Sequence, residues 1–456
     1  MSSRVVVLGG GPAGDVAALR AAQLGAQVVM VEKDNLGGTC LNWGCIPTKA
    51  LLATADLLRK IRRADEYGLV VPEVSFDFPK MMSRKNDIVA RLRGGVEAAC
   101  KKQKVEVVKG AGVVSAGAVE VDGRSIQYDV LIVCTGTSVA GLPGLDMDHP
   151  AILTSDDILM LESAPKELLV IGGGVIGCEF ASMFAALGTK ITVVEMLPRI
   201  LAGIDNRTAS QFQRILEKEG VEFHLGTKVA NLDYRDDSVV ATLEDGAAIE
   251  AQRVLVSIGR RPNTTDVGLE SAGVVLDERG YIQVDDFLQT ANPTIYGAGD
   301  CIGGLQLAHL AEAEGHRAIE NALGHGVRLP MDRTVVPSCI YTHPEIATVG
   351  LHADAAKAAG HTVKMGSARY GGNGKALGEG EGDGVVQLVA DAETDELLGA
   401  TIMGSHAVEL IGEIGIAIAD GFTMTELGSV IHAHPTVSEL VMHAAQQGEG
   451  TAPYLS

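Results

Sequence analysis

The stretch RVVVLGGGPAGDVAALRAAQLGAQVVMVE, residues 4–32, decides the fold. A short β-branched run is followed by a glycine turn, a helix-forming segment GDVAALRAAQLGA and a second apolar run, QVVMVE. That order of strand, turn, helix and strand is a βαβ unit. Gly9, Gly11 and Gly14 supply the GxGxxG spacing, and Glu32 ends the second strand. Small residues let a pyrophosphate approach the helix N-terminus, and a carboxylate at the later position bonds ribose hydroxyls. The stretch therefore predicts a dinucleotide site.

The same arrangement recurs at 168–195 as LLVIGGG, VIGCEFASMFAALG and TKITVVE, with Gly172, Gly174, Gly177 and Glu195 in the matching places. Two such units predict two nucleotide-binding domains in an α/β chain. A reader of the NADP phosphate needs arginines just beyond the second strand, whereas Glu195 repels it, so NAD is favoured; Arg199 is the one nearby cation. A further strand closes in TIYGAGD (294–300) with small residues and Asp300. Together with CTGT (134–137) and the first fingerprint, it is similar to the pattern by which two-dinucleotide flavoproteins hold FAD.

Joints are expected at GLPGLDMDHP (141–150), GRRPNTTD (259–266) and GVRLPMDRTVVP (326–337). They delimit an FAD domain of residues 1–145 and 266–332, an NAD domain of 146–265, and a third, α+β domain of 333–456 for dimerisation. Residues 266–330 carry no GxGxxG of their own and are expected to return to the first domain. A chain of 456 residues exceeds what one core supports, which fits several domains. The net charge of −21, without a basic block, opposes phosphate-backbone binding and argues against a nucleic-acid partner. No apolar run reaches membrane-spanning length; LIGEIGIAIAD (410–420) is interrupted by Glu413. With a structural strand starting almost at Met1, neither a signal nor a transit peptide is expected, and the protein is expected in the cytoplasm.

Of seven cysteines only Cys40 and Cys45 are close neighbours, in GGTCLNWGCIPTKAL (37–51). A zinc site needs about four ligands, and neither a second CxxC pair nor a nearby histidine follows, so no metal is expected. A permanent staple over so short a step adds little to a large cytosolic fold. A redox pair explains more. Its geometry requires Cα atoms within about 7 Å, closer than five residues on a straight helix allow. Cys40 is therefore expected in a bent segment and Cys45 near the start of the following helix, where the helix dipole and Lys49 favour a thiolate.

The segment GGTCLNWGCIPTKALL resembles the active-site segment of the pyridine nucleotide-disulfide oxidoreductases, closest to their dihydrolipoamide dehydrogenase branch. The likeness runs from about residue 4 to 445, through GGGVIGCEFASMF, SIGRRPNT, YGAGDC, LAHLAEAEG, SCIYTHPEIATVGL, NGKAL and HAHPTVSE. It implies two Rossmann-like domains, for FAD and NAD, and a C-terminal dimerisation domain. Carried over position by position, Cys40 resembles the sulfur that exchanges with substrate and Cys45 the one that contacts the flavin. Lys49 corresponds to the lysine beside the flavin's reactive nitrogen, and Glu179 to its acidic partner near the nicotinamide. The stretch Glu32 to Cys40, which includes Lys33, Gly38 and Thr39, falls at FAD contacts, as do Gly112, Thr135, Gly136, Asp300 and Ala308. Gly172, Gly174, Val175, Ile176 and Gly177, with Glu195, Val229 and Gly259, fall at NAD contacts.

In HPTVSE, His434 and Glu439 point roughly 140° apart if both are helical. With Pro435 as first helical residue, His434 lies just outside the helix and Glu439 turns back to its ring, giving a base and its orienter. His432 and His343 also match family positions, without a role that the sequence supplies. In the family the pair comes from the other subunit, which implies an obligate homodimer. The implied reaction is oxidation of dihydrolipoyl groups on the lipoylated proteins of 2-oxo acid dehydrogenase or glycine cleavage complexes, with NAD reduced to NADH. Glu195 argues against the NADP-dependent glutathione reductases, and the tail QQGEGTAPYLS lacks the extra thiol pair of mercuric and large thioredoxin reductases. A mainly structural role, as docking subunit of such an assembly, is the alternative from another class.

Overall fold

In the computed structural model, which describes residues 2–324 and 327–452, the first sheet has five parallel strands. Gly326, the first residue of the third expected joint, and the tail's last four residues lie outside the described ones. The strands run in the order Ile295–Gly297, Val130–Val133, Arg4–Leu8, Gln27–Glu32, Glu106–Lys109. After Arg4 the strand Arg4–Leu8 is apolar and buried, because both of its faces are covered. Val5 and Val7 pack with Ala13, Ala17 and Ala21 of the helix Pro12–Gln23. Val6 and Leu8 pack with Val114, Val119 and Val121 of an antiparallel three-stranded sheet spanning Val113–Gln127.

The second sheet repeats this plan: Glu222–Leu225, Lys190–Glu195, Glu167–Ile171, Arg253–Val256 and Ile152–Leu153, all parallel. Leu168 and Val170 pack with Phe180 and Phe184 of the helix Val175–Ala186. Leu169 and Ile171 face Leu232, Val239 and Leu243 of a second antiparallel three-stranded sheet. One glycine explains how close helix and strand lie in each unit: a Cβ on Gly14 would overlap the Gly9 carbonyl oxygen, and one on Gly177 the Gly172 carbonyl oxygen. The segment after the second unit returns to the first: Ile295–Gly297 pairs with Val130–Val133, and the helix Ala308–Leu323 packs along Pro12–Gln23.

Residues beyond 337 form a five-stranded antiparallel sheet, Ser338–Ile340, Ile346–Gly350, Leu397–Met403, Val385–Asp391 and Val363–Arg369, with helices Ala407–Ala419, Met424–Ser429 and Glu439–Gly448 against it. The turn before Leu397 ties this layer together. The Asp395 carboxylate accepts from Lys364 and from the backbone and hydroxyl of Thr425, and Lys364 also pairs with Glu449. Burial raises the Asp395 pKa, but the Lys364 and Thr425 donors outweigh it and hold the group down at about 2. A depressed carboxylate stabilises the fold above its unfolded value near 4, and that contribution is lost as pH falls through 2. Asp395→Asn is therefore expected to lower stability by about 1 kcal/mol at pH 7, the partly exposed pair being screened. Denaturant melts should show the difference from wild type closing between pH 4 and pH 2; a pH-independent deficit contradicts the assignment.

Candidate active site

Cys40 and Cys45 form a disulfide, with Cα atoms 4.6 Å apart. The chain reaches this by a break. Cys40 sits in a short helix, Gly38–Trp43, Gly44 leaves helical geometry at φ −143°, ψ −109°, and Cys45 opens the long helix Cys45–Arg62. Cys45 thus stands at a helix start and Cys40 in the bent segment before it, as expected, and that segment is itself a short helical turn. The remaining cysteines of the described residues are thiols that burial keeps protonated: it pushes Cys301 and Cys339 up to about 11, and raises Cys134 and Cys178.

One turn along the same helix, Lys49 reaches across to the second domain. Its Nζ donates to both carboxylate oxygens of Glu179, each at 3.0 Å, and Glu179 is only 5% exposed, on the helix Val175–Ala186. A charge so buried persists only when paired and hydrogen-bonded, so the pair is a fixed link between the two dinucleotide units. Arg59, further along the same helix, also reaches the helix Val175–Ala186: it bonds the Ser182 backbone and hydroxyl and pairs with Glu219.

The fingerprint carboxylates hold the glycine turns. Glu32 accepts from the Gly10 and Asp34 amides, at 2.6 Å each, and Glu195 from the Gly173 and Leu197 amides, at 2.7 Å each. Arg199 spends its guanidinium on the carbonyls of Ile204 and Ala202. Asp300, first residue of a 3₁₀ turn, accepts from the Thr137 hydroxyl at 2.8 Å.

His434 Nδ1 lies 2.9 Å from Glu439 Oε1, and the other Glu439 oxygen accepts the Thr436 amide at 2.9 Å. Burial would raise the Glu439 pKa, but the Thr436 amide and His434 outweigh it and keep the carboxyl below its usual value. The helix begins at Glu439, not at Pro435. A cis His434–Pro435 bond and a non-helical run of residues 435–438 fold the histidine back onto the first helical residue. The His434 side chain is 81% exposed and Glu439 11%. Within one chain the described hydrogen bonds of His434 run to Glu439 and none reaches the disulfide.

Two family models match the chain: pyridine nucleotide-disulphide oxidoreductase over residues 3–315, and the dimerisation domain of the same family over 336–445. The chain belongs to the pyridine nucleotide-disulphide oxidoreductase family. Among curated relatives it is similar to a dihydrolipoyl dehydrogenase of Bacillus subtilis, with 43% identity over 98% of both chains. The mitochondrial dihydrolipoyl dehydrogenase of Dictyostelium discoideum is 42% identical over 97% of this chain and 93% of the relative. Among solved structures, LpdA from Mycobacterium tuberculosis superposes with a TM-score of 0.91 at 30% identity, covering 97% of this chain and 99% of that one. The HOCl-induced flavoprotein disulfide reductase RclA from Escherichia coli gives 0.89 at 28%, with 97% and 99% covered.

As in its family, this oxidoreductase has two Rossmann-like domains and a separate C-terminal domain. The residues expected to hold the two dinucleotides gather at the carboxyl ends of the two parallel sheets, where such ligands bind. Gly9, Gly11 and Gly14, Glu32 with Lys33, Gly38 with Thr39, Gly112, Thr135 with Gly136, Asp300 and Ala308 surround the first edge. Gly172, Gly174, Val175, Ile176, Gly177, Glu195, Val229 and Gly259 surround the second. Both fingerprint helices start at a glycine N-cap, Gly11 or Gly174, without a capping side chain. A Cβ on Gly174 would meet nothing within 4 Å, while one on Gly38 would press on Gly11 Cα at 2.6 Å. Uncapped amides at a glycine-lined turn fit a pyrophosphate in each domain, with open space at Gly174 and a close glycine wall, Gly38, at Gly11.

Two histidines gain surroundings that the sequence withheld. The His432 ring is held between the Val430 carbonyl at 2.9 Å and Glu413 at 2.7 Å. His343 precedes a cis proline, donates its amide to the Ser182 hydroxyl, and is pushed down to about 4 by burial, with Arg59, Arg63 and Lys60 adding to it. No helix of the described residues is long and apolar enough to cross a membrane, and no cluster among them is suited to a metal ion.

Proposed function

We propose that this chain oxidises protein-bound dihydrolipoyl groups with NAD as acceptor, working as an FAD-containing homodimer in the cytoplasm. The observation that carries the reading is a disulfide at the head of a helix whose Lys49, one turn on, is locked to the other dinucleotide domain. Residues 1–145 with 266–332 form the FAD domain, 146–265 the NAD domain and 333–456 the dimerisation domain. FAD is held by the first-edge residues named above and NAD by the second-edge set, with Lys49 and Glu179 between them. Bound FAD supplies the two-electron relay between the enzyme dithiol and NAD.

The chain's own residues handle sulfur and protons. His434, oriented by Glu439, takes the proton of a substrate thiol; the resulting thiolate attacks Cys40 Sγ, the Cys40–Cys45 bond breaks, and Cys45 leaves as a thiolate. The second substrate thiol, once deprotonated, attacks the substrate sulfur of the mixed disulfide. The lipoyl ring closes, Cys40 is released, and the electron pair rests on the enzyme dithiol. Two half-reactions on one enzyme predict ping-pong kinetics. NAD is favoured over NADP because Glu195 guards the ribose position and Arg199 is committed to loop carbonyls.

A homodimer accounts for the exposed His434 and for its apolar neighbours: Ile431 is 96% exposed, and Ile416 is 73% exposed on the adjacent helix. Such a patch on a soluble chain marks an interface. The partners are lipoylated proteins of 2-oxo acid dehydrogenase or glycine cleavage complexes. Anaerobic titration of the purified yellow protein with dihydrolipoamide should raise a long-wavelength thiolate-to-flavin band. Glutathione and NADPH should not. No band, or an equal response to glutathione, overturns the reading.

A further inference from the structure

Tyr341 holds both members of the Lys49–Glu179 pair. Its backbone N–H donates to Glu179 Oε1 at 2.9 Å, and the Lys49 ammonium stands 4.4 Å from its ring centroid. The residue comes from the C-terminal domain, directly after the strand Ser338–Ile340, so a third domain reaches the link between the other two. Its place is fixed two residues further on, where the His343 amide donates to Ser182, three residues along the helix from Glu179. Burial, with Cys339 and Glu179 adding to it, pushes the Tyr341 phenol up to about 12, so the ring stays neutral and presents an unperturbed π face.

We propose that Tyr341 is a positioning residue of the reaction: its ring caps the Lys49 ammonium and its amide fixes Glu179, so that together they set the positive charge the flavin meets. The proposal rests on the reading above that Lys49 stands beside the flavin, and it deepens that reading. A cation over an aromatic face at a partly desolvated site gains roughly two- to thirtyfold in an equilibrium. Removing the ring while leaving the backbone donor exposes the ammonium to water and weakens its hold on the reduced, more negative flavin.

The test uses the FAD-loaded full chain and the variants Tyr341→Leu, Tyr341→Phe, Lys49→Met and the double variant Tyr341→Leu/Lys49→Met. Flavin midpoint potentials are read against a reference dye, alongside kcat and KM for NAD. Tyr341→Leu should make flavin reduction less favourable by about tenfold in its equilibrium constant, with KM for NAD within about twofold, and Tyr341→Phe should rescue it. Tyr341→Met, with the same expectation, replaces the leucine variant if that one loses FAD. On the Lys49→Met background the tyrosine change should add nothing. An unchanged potential in Tyr341→Leu, or an equal shift with and without Lys49, overturns the proposal. Failure of the dihydrolipoyl reading is seen separately, as a wild-type protein that gives no band with dihydrolipoamide.

Discussion

Cys45→Ser is expected to lose turnover with dihydrolipoamide by at least about 10⁴-fold, the scale on which covalent catalysts fall when their reacting sulfur or oxygen is removed. Among the described residues the disulfide is the only acceptor for a substrate thiolate, since the other described cysteines are thiols, most of them buried. The two single variants should differ in kind. Cys40→Ser keeps Cys45, first residue of the helix that carries Lys49, where the helix dipole favours a thiolate. It is therefore expected to show the long-wavelength band without any reductant. Cys45→Ser keeps Cys40 on the other side of the Gly44 break, and should form a mixed disulfide with a small thiol reagent while showing no band. Absorption spectra and mass determination of the labelled proteins decide this, and the reverse pattern would exchange the roles of the two sulfurs. Both variants should fold, because a bridge closing so short a loop contributes at most about 3 kcal/mol and the cores lie elsewhere.

What the sequence disclosed was whatever is encoded within one segment. Both βαβ units, their glycines and Glu32 and Glu195 are local patterns, and the two parallel sheets follow from them. The helix start at Cys45 was legible for the same reason: a bridge over five residues demands a break in the chain. Details that depend on φ and ψ were not. The break falls at Gly44, so Cys40 keeps a helical turn of its own, and the last helix begins only at Glu439, past the non-helical residues 435–438. Least legible were meetings between distant segments. The pairing of Glu179 with Lys49 across 130 residues was legible through the family resemblance alone, and that Tyr341 joins them from a third domain was not legible at all. Nothing in the pattern around Tyr341 distinguishes it from a strand-end aromatic; its role comes from what the fold brings to it. The same holds for the fingerprint acids, whose oxygens anchor the Gly10 and Gly173 amides, a contact that the spacing alone does not show.

His434→Gln should lower turnover by about 10²- to 10⁴-fold, the contribution of a placed general base, while leaving the flavin spectrum unchanged. Glu439→Gln should cost less, because the ring keeps a hydrogen-bond partner but loses the charge that supports it as it accepts a proton. The location of the base matters more than the size of the loss. One chain brings no hydrogen bond from His434 to its own disulfide among the described residues, and leaves the ring 81% exposed on the domain whose family model is a dimerisation domain. If each site joins Cys40 and Cys45 of one subunit to His434 of the other, two inactive proteins can repair each other. Cys45→Ser and His434→Gln homodimers, mixed and reassorted, would form heterodimers in which one site has lost both groups and the other is intact. With random reassortment of a two-fold symmetric dimer, the mixture should recover roughly a quarter of wild-type activity. Were the histidine to serve its own subunit, each chain in the heterodimer would still lack one essential group and the mixture would stay inactive. Activity measured before and after reassortment, with heterodimer formation followed by a tag on one partner, separates the two arrangements.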